Sequence, residues 1–242
     1  MLMYRFATPL PTAPGKTETD IKSIAEYFQG NLPQYKESRR RRGITMERVY
    51  LQPTPMGNVV IAYFESERSF GEGVQGLVNS DLEIDRRFVE MVAEIHGVDF
   101  RQPPPGEAPE TIGEWADPQV TGRRKGLAFI APALPGKKEA GAAFCREAFV
   151  ERQGEFAESR RALGGTVEVV TFNSTPMGDF VCVYVEGNDP VEANRRFAAS
   201  TRPFDVWFKD RLKELFPPEI DFSRPVPPVE QIWDYSTEPV TT

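Results

Sequence analysis

The sequence predicts an α+β protein assembled from two copies of one strand, helix, strand, strand, helix, strand unit. Three observations predict it. First, residues 38–65 return as residues 159–186 without a gap. Ser38 meets Ser159, Gly43 meets Gly164, Glu47 meets Glu168, Thr54-Pro55-Met56-Gly57 meets Thr175-Pro176-Met177-Gly178, and Tyr63 meets Tyr184, all 121 positions apart. Second, the correspondence continues at an offset of 120, where Ser80, Ile84, Asp85 and Phe88 meet Ser200, Phe204, Asp205 and Phe208. One residue has been lost from a loop, which tolerates it, and not from a strand. Third, Asp99-Phe100 and Asp221-Phe222 each precede a proline-rich connection (Pro103-Pro104-Pro105; Pro225, Pro227, Pro228) and a short strand holding Trp115 or Trp233.

Taken in order, residues 4–10 read as a strand stopped by prolines. Pro14-Gly15-Lys16 is a turn, after which Thr17 or Thr19 can cap a helix with Glu18 and Asp20 in its first turn. Ile21, Ile24, Ala25, Phe28 and Leu32 follow at helical spacing, and Pro33 interrupts this helix or opens a second segment. The run Arg39-Arg40-Arg41-Arg42 before Gly43 reads as a solvated helix end, because cations favour a helix C-terminus and glycine supplies the left-handed cap. Residues 45–53 and 58–65 form a strand hairpin, and 72–79 and 83–96 two helical pieces. Residues 1–117 make the first repeat, 118–126 a linker and 127–242 the second repeat. Each repeat is a ferredoxin-like βαββαβ unit. A sheet with helices on one face leaves the other bare, so the two bare faces are expected to pack sheet-to-sheet as an intramolecular α+β barrel.

Composition narrows the function classes. A net charge of −7 and a pI near 5.0 disfavour nucleic acid as the main partner. No run of eighteen apolar residues is present, the N-terminus is too polar for a secretory signal, and Cys145 and Cys182 stand alone. These features imply a cytoplasmic protein without membrane contact. With one histidine and no cysteine cluster, no metal site of ordinary spacing is expected, and no Ser-His-Asp or Cys-His motif supports a nucleophile. Gly71-x-Gly73-x-x-Gly76 matches the dinucleotide pattern in letters only: repeat two lacks it and no parallel βαβ unit follows.

A strand, then Pro-Gly-Lys, a long helix, a hairpin and the Ser-x-x-x-[Ile/Phe]-Asp helix resembles the dimeric α+β barrel superfamily. That superfamily includes Dabb, EthD-like and antibiotic-biosynthesis-monooxygenase proteins, several of them tandem duplications. The resemblance covers residues 4–235 and implies a fold more than a chemistry. In its chlorite dismutase branch a proximal histidine in the second half of the chain holds haem. Here His96 lies in the first half, at a predicted helix C-terminus, and Phe216 stands at its place in repeat two. Haem is not expected, nor any other cofactor.

The resemblance places a ligand between the sheets, so strand parity selects the candidates. Val59, Ile61, Tyr63 and Glu65, matched by Phe180, Cys182, Tyr184 and Glu186, form a face that ends polar in both copies and is assigned to the interior. A three-residue turn at Thr54-Pro55-Met56-Gly57 would add Glu47 and Glu168 to that face; a two-residue turn would bring Arg48 and Tyr50 inward instead. The proline and glycine positions favour the first. The expected ligand-binding set is therefore Glu47, Tyr63, Glu65, Glu168, Tyr184 and Glu186. Otherwise these glutamates sit at strand ends and pair with helix arginines such as Arg39 and Arg160. The function expected is binding of a small hydrophobic ligand. It extends to a cofactor-independent enzyme performing proton transfer, isomerisation, cyclisation or oxygenation on a hydrophobic oxygenated substrate. The alternative is a non-catalytic stress-type or oligomerising module; the chain would be a monomer or a homodimer.

Overall fold

The computed structural model describes residues 3–103 and 106–241; Pro104 and Pro105 of the first proline-rich connection lie outside the described residues. The first half runs β1 (Tyr4–Pro11), α1 (Glu18–Gly30), α2 (Leu32–Arg41), β2 (Ile44–Thr54), β3 (Gly57–Ser66), α3 (Phe70–Val78), α4 (Glu83–His96) and β4 (Glu110–Ala116). The second runs β5 (Lys125–Pro132), α5 (Lys138–Arg146), a π-helical turn (Glu147–Glu151), α6 (Gln153–Leu163), β6 (Gly165–Thr175), β7 (Gly178–Gly187), α7 (Pro190–Ala199), α8 (Pro203–Leu212) and β8 (Glu230–Ser236). Local chemistry sets the helix ends. Thr17 and Asp20 form a reciprocal capping box at α1, Pro33 sits in the first turn of α2, and Gly43 and Gly164 take φ of +68° and +85° just beyond α2 and α6.

Two four-stranded antiparallel sheets result, in the orders β1-β3-β2-β8 and β4-β6-β7-β5. Each sheet thus takes its fourth strand from the other half, rather than from its own repeat as a self-contained βαββαβ unit would. The free edges of β1 and β5 explain why. The Ala7 amide donates to Thr171 Oγ1 (3.0 Å), and Asn173 Nδ2 donates to the Ala7 carbonyl (3.1 Å). Across the other seam, Gln52 accepts from the Ile130 amide (2.9 Å) and donates to its carbonyl (3.2 Å). With those edges occupied by the facing sheet, the last strand of each half pairs with the far β2 or β6. These seams close the two sheets face to face.

The hairpin register corrects the expected turn. Thr54 pairs with Gly57 and Arg48 with Tyr63; likewise Thr175 pairs with Gly178 and Val169 with Tyr184. The loop has two residues, because the Thr54 hydroxyl both accepts from the Met56 amide (3.2 Å) and donates to the Gly57 carbonyl (2.7 Å). Glu47, Val49 and Leu51 therefore face the helices, and Arg48, Tyr50 and Gln52 face the other sheet.

Candidate functional site

Between the sheets, Tyr63 and Tyr184 stack with centroids 3.5 Å apart and planes 8° from parallel. Each hydroxyl donates to the glutamate two residues on, Tyr63 to Glu65 (2.9 Å) and Tyr184 to Glu186 (2.6 Å). So four of the six expected residues do meet in the interior. Their polar atoms are occupied there. Glu65 takes Arg123 and Arg5 as well; Glu186 takes Arg48 Nη1 (3.3 Å) and the Arg124 amide (3.1 Å). Burial alone would raise Glu65, but Arg123, Arg5 and the Tyr63 hydroxyl outweigh it and hold the carboxyl below its usual range. Met46, Tyr50, Ile61, Val169, Phe180 and Cys182 pack the rest. The backbone of Gly126 comes so close that a Cβ there would lie 2.7 Å from Arg48 Nη1. Arg48 and Tyr50, which the three-residue turn directs outward, are fully buried in this interior.

Glu47 and Glu168 lie on the opposite faces of their strands, which corrects their expected place. Arg39 grips Glu47 through Nε (2.6 Å) and Nη2 (3.1 Å), and Tyr35 adds a hydroxyl (2.9 Å). Arg160 repeats the fork on Glu168 (2.7 and 3.1 Å). Beside each pair, Ser38 and Ser80 donate to Asp85, as Ser159 and Ser200 donate to Asp205. This duplicated polar knot ties α2 to β2 and α4, and α6 to β6 and α8. The arginine run is accordingly only half solvated. Arg40 and Arg41 are exposed and paired with Glu37, whereas Arg39 and Arg42 are buried.

Space for a ligand lies elsewhere. A cavity of about 940 Å³ sits between the outer face of the first sheet and α1, α3 and α4. Its walls are mainly Phe6, Ile24, Phe28, Ala62, Phe64 and Leu77, with Arg42, Glu47, Ser66 and His96 as polar members. Exposed Arg101, Gln102, Glu107 and Met177 mark its opening. In the second half the corresponding layer is an aromatic core: Phe197, Phe204 and Phe172 replace Leu77, Ile84 and Leu51, and Val183 replaces Ala62. The fourth strand adds a wedge. Trp233 pairs with Val49 where Gly113 pairs with Val170, so Gly113 and Trp233 occupy equivalent places; matching Trp115 to Trp233 by letter misses this by two residues. At Gly113 a Cβ would lie 3.2 Å from Cys145 and Phe149, so α5 and the turn after it close tightly on the sheet. At Trp233 an indole stands there instead, donating to Tyr35 Oη (2.7 Å) and lining the cavity.

His96 borders this cavity from the C-terminus of α4. A carbonyl can only accept, so the 3.1 Å contact with Pro11 O puts the proton on Nδ1 and leaves Nε2 as an acceptor. Burial lowers its pKa, partly offset by the backbone carbonyls, and the ring is neutral at pH 7. In the sequence its only signal is being a single histidine where the other copy has phenylalanine.

No protein-family model and no curated protein matches the chain. Solved structures do. A "putative monooxygenase" from Fusobacterium nucleatum subsp. nucleatum aligns over 99% of this chain and 98% of its own, with a TM-score of 0.52 and 6% identity. A "putative monooxygenase" from Lactobacillus acidophilus aligns over 100% of both chains, with a TM-score of 0.50 and 11% identity. An "anthrone oxidase-like protein" aligns over 95% and 88%, with a TM-score of 0.46 and 12% identity. The first two share the fold, a pair of ferredoxin-like units joined as an α+β barrel. Among the described residues, no helix is long and apolar enough to cross a membrane.

Proposed function

We propose that this chain binds a small hydrophobic molecule in the cavity between the first sheet and its helices. One observation carries the reading: of two matching layers, one is packed with phenylalanine and the other is held open around about 940 Å³. That volume falls within the range of small-molecule sites, which are apolar with a few convergent polar groups. Tyr63, Glu65, Tyr184 and Glu186 between the sheets are the weaker place, since each hydroxyl already serves the neighbouring carboxylate. Glu47 remains in the proposed site as a wall residue whose carboxylate is held by Arg39 and Tyr35.

Nile red, a neutral dye, should bind the wild-type protein with blue-shifted emission, and Ala62→Phe should abolish the shift while the thermal transition persists. Binding that ignores Ala62→Phe would place the ligand elsewhere and sink the proposal.

A catalytic extension rests on His96. Its neutral ring borders an apolar cavity, the setting for a general base. It would take a proton from a carbon beside a carbonyl of the bound ligand, leaving the electron pair as an enolate. Identities of 6% and 11% to the two structures of this fold transfer no chemistry. Incubation of a bound ketone in D2O tests it: deuterium should enter with wild type and not with His96→Phe.

A further inference from the structure

Resting on that reading, the geometry points to Arg42 as the anchor for a monoanionic carboxylate, so that the ligand is a hydrophobic carboxylic acid lying lengthwise in the cavity. Arg42 caps α2 with its side chain only 10% exposed, and it lines the cavity. Its Nε and Nη1 are buried without a hydrogen-bond partner among the described residues. An unpaired guanidinium N–H in an apolar wall costs desolvation that a carboxylate accepting one charge-assisted hydrogen bond from it would offset.

The matching half shows that this arginine is not needed by its neighbours. Asp85 stands 3.9 Å from Arg42 Nη1, beyond hydrogen-bond range, and is already served by Ser38 (2.5 Å) and Ser80 (2.6 Å). Asp205, its counterpart, keeps the same two serine bonds although Leu163 stands where Arg42 does. Arg42 therefore occurs in the half with the cavity and is replaced by an apolar side chain in the half with the aromatic core. Burial and the adjacent Arg39 cation push Arg42 down to about 10, which still leaves it charged at neutral pH.

Charge and shape limit the ligand further. Arg42 offers one positive charge and Glu47 lines the same cavity, so a monoanion suits the site better than a dianion. Ser66 lines the same end: its hydroxyl accepts from the Arg68 amide (3.0 Å) and retains a proton to donate. Ser66 and Val60 both line the cavity six residues apart on β3, roughly 20 Å along a strand. The apolar body would run from Arg42 toward His96 at the far end.

Fluorescent cis-parinaric acid and its methyl ester differ only in the charge. Wild type should bind the acid at least about tenfold more tightly than the ester, the size expected for a charge-assisted pair. Arg42→Leu, which installs the second half's residue, should remove that preference by weakening acid binding more than ester binding; Arg42→Lys should retain part of it. Equal affinity of wild type for acid and ester, or equal weakening of both by Arg42→Leu, overturns the assignment while the cavity reading stands. Failure of both probes to bind wild type overturns both.

Discussion

Two buried arginines of one helix end do opposite things. Arg39 is committed to Glu47, with Nη1 on Ser38, and such a pair is destabilised when one charge is removed because the other stays buried. Glu47→Gln should therefore cost about 3–5 kcal/mol in chemical denaturation, whereas Arg42→Leu should not lower stability, because Asp85 keeps both serine bonds and Arg39 beside it. His96 and Glu65 give separable pH signatures. The folded-state pKa of His96 lies below its ordinary value of about 6.5. As pH falls through that value the unfolded chain takes a proton that the folded chain refuses, so stability declines. His96→Phe should flatten the melting temperature across that window. Glu65 is also held low, so its contribution is full above the ordinary glutamate value near 4.3. It is lost as pH drops through the lower folded value. Glu65→Gln should leave the His96 window intact and reduce the loss below about pH 4.

At the scale of elements, one residue of hairpin register decided which side chains face the interior. Strand parity alone identified the inward face of β3 and β7, because alternation and the duplication agreed there. The face of β2 depended on whether the turn had two or three residues, and Thr54 settles that through a side-chain bond that composition does not display. The resulting close approach at Gly126 is testable. Gly126→Ala forces a Cβ against Arg48 and Tyr50, both fixed between the sheets, and should cost about 1–3 kcal/mol in thermal unfolding. The cavity too is an element-level property. It depends on which residue of β8 faces α1, and the two-residue misalignment of Trp115 with Trp233 hid the wedge.

For the whole molecule, the exchanged fourth strands make each half incomplete. Residues 1–117 lack β8, and residues 127–242 lack β4, so each isolated half exposes an unpaired strand edge and an uncovered sheet face. We expect each half expressed alone to be soluble only poorly and to lack a cooperative transition. Co-expression of the two should restore one, read by circular dichroism. Independent cooperative unfolding of residues 1–117 would contradict this.

The order of elements and the duplication were legible in the sequence, because capping, periodicity and repetition are local properties that each stretch carries with it. The Arg39–Glu47 pairing was even readable as the bland alternative to a ligand site. Three matters were settled only by tertiary structure: the partner of each last strand, the inward face of β2, and which side of the sheet is hollow. Each depends on contacts between residues far apart in the chain. There, a shift of one or two positions changes the packing without changing any local signal.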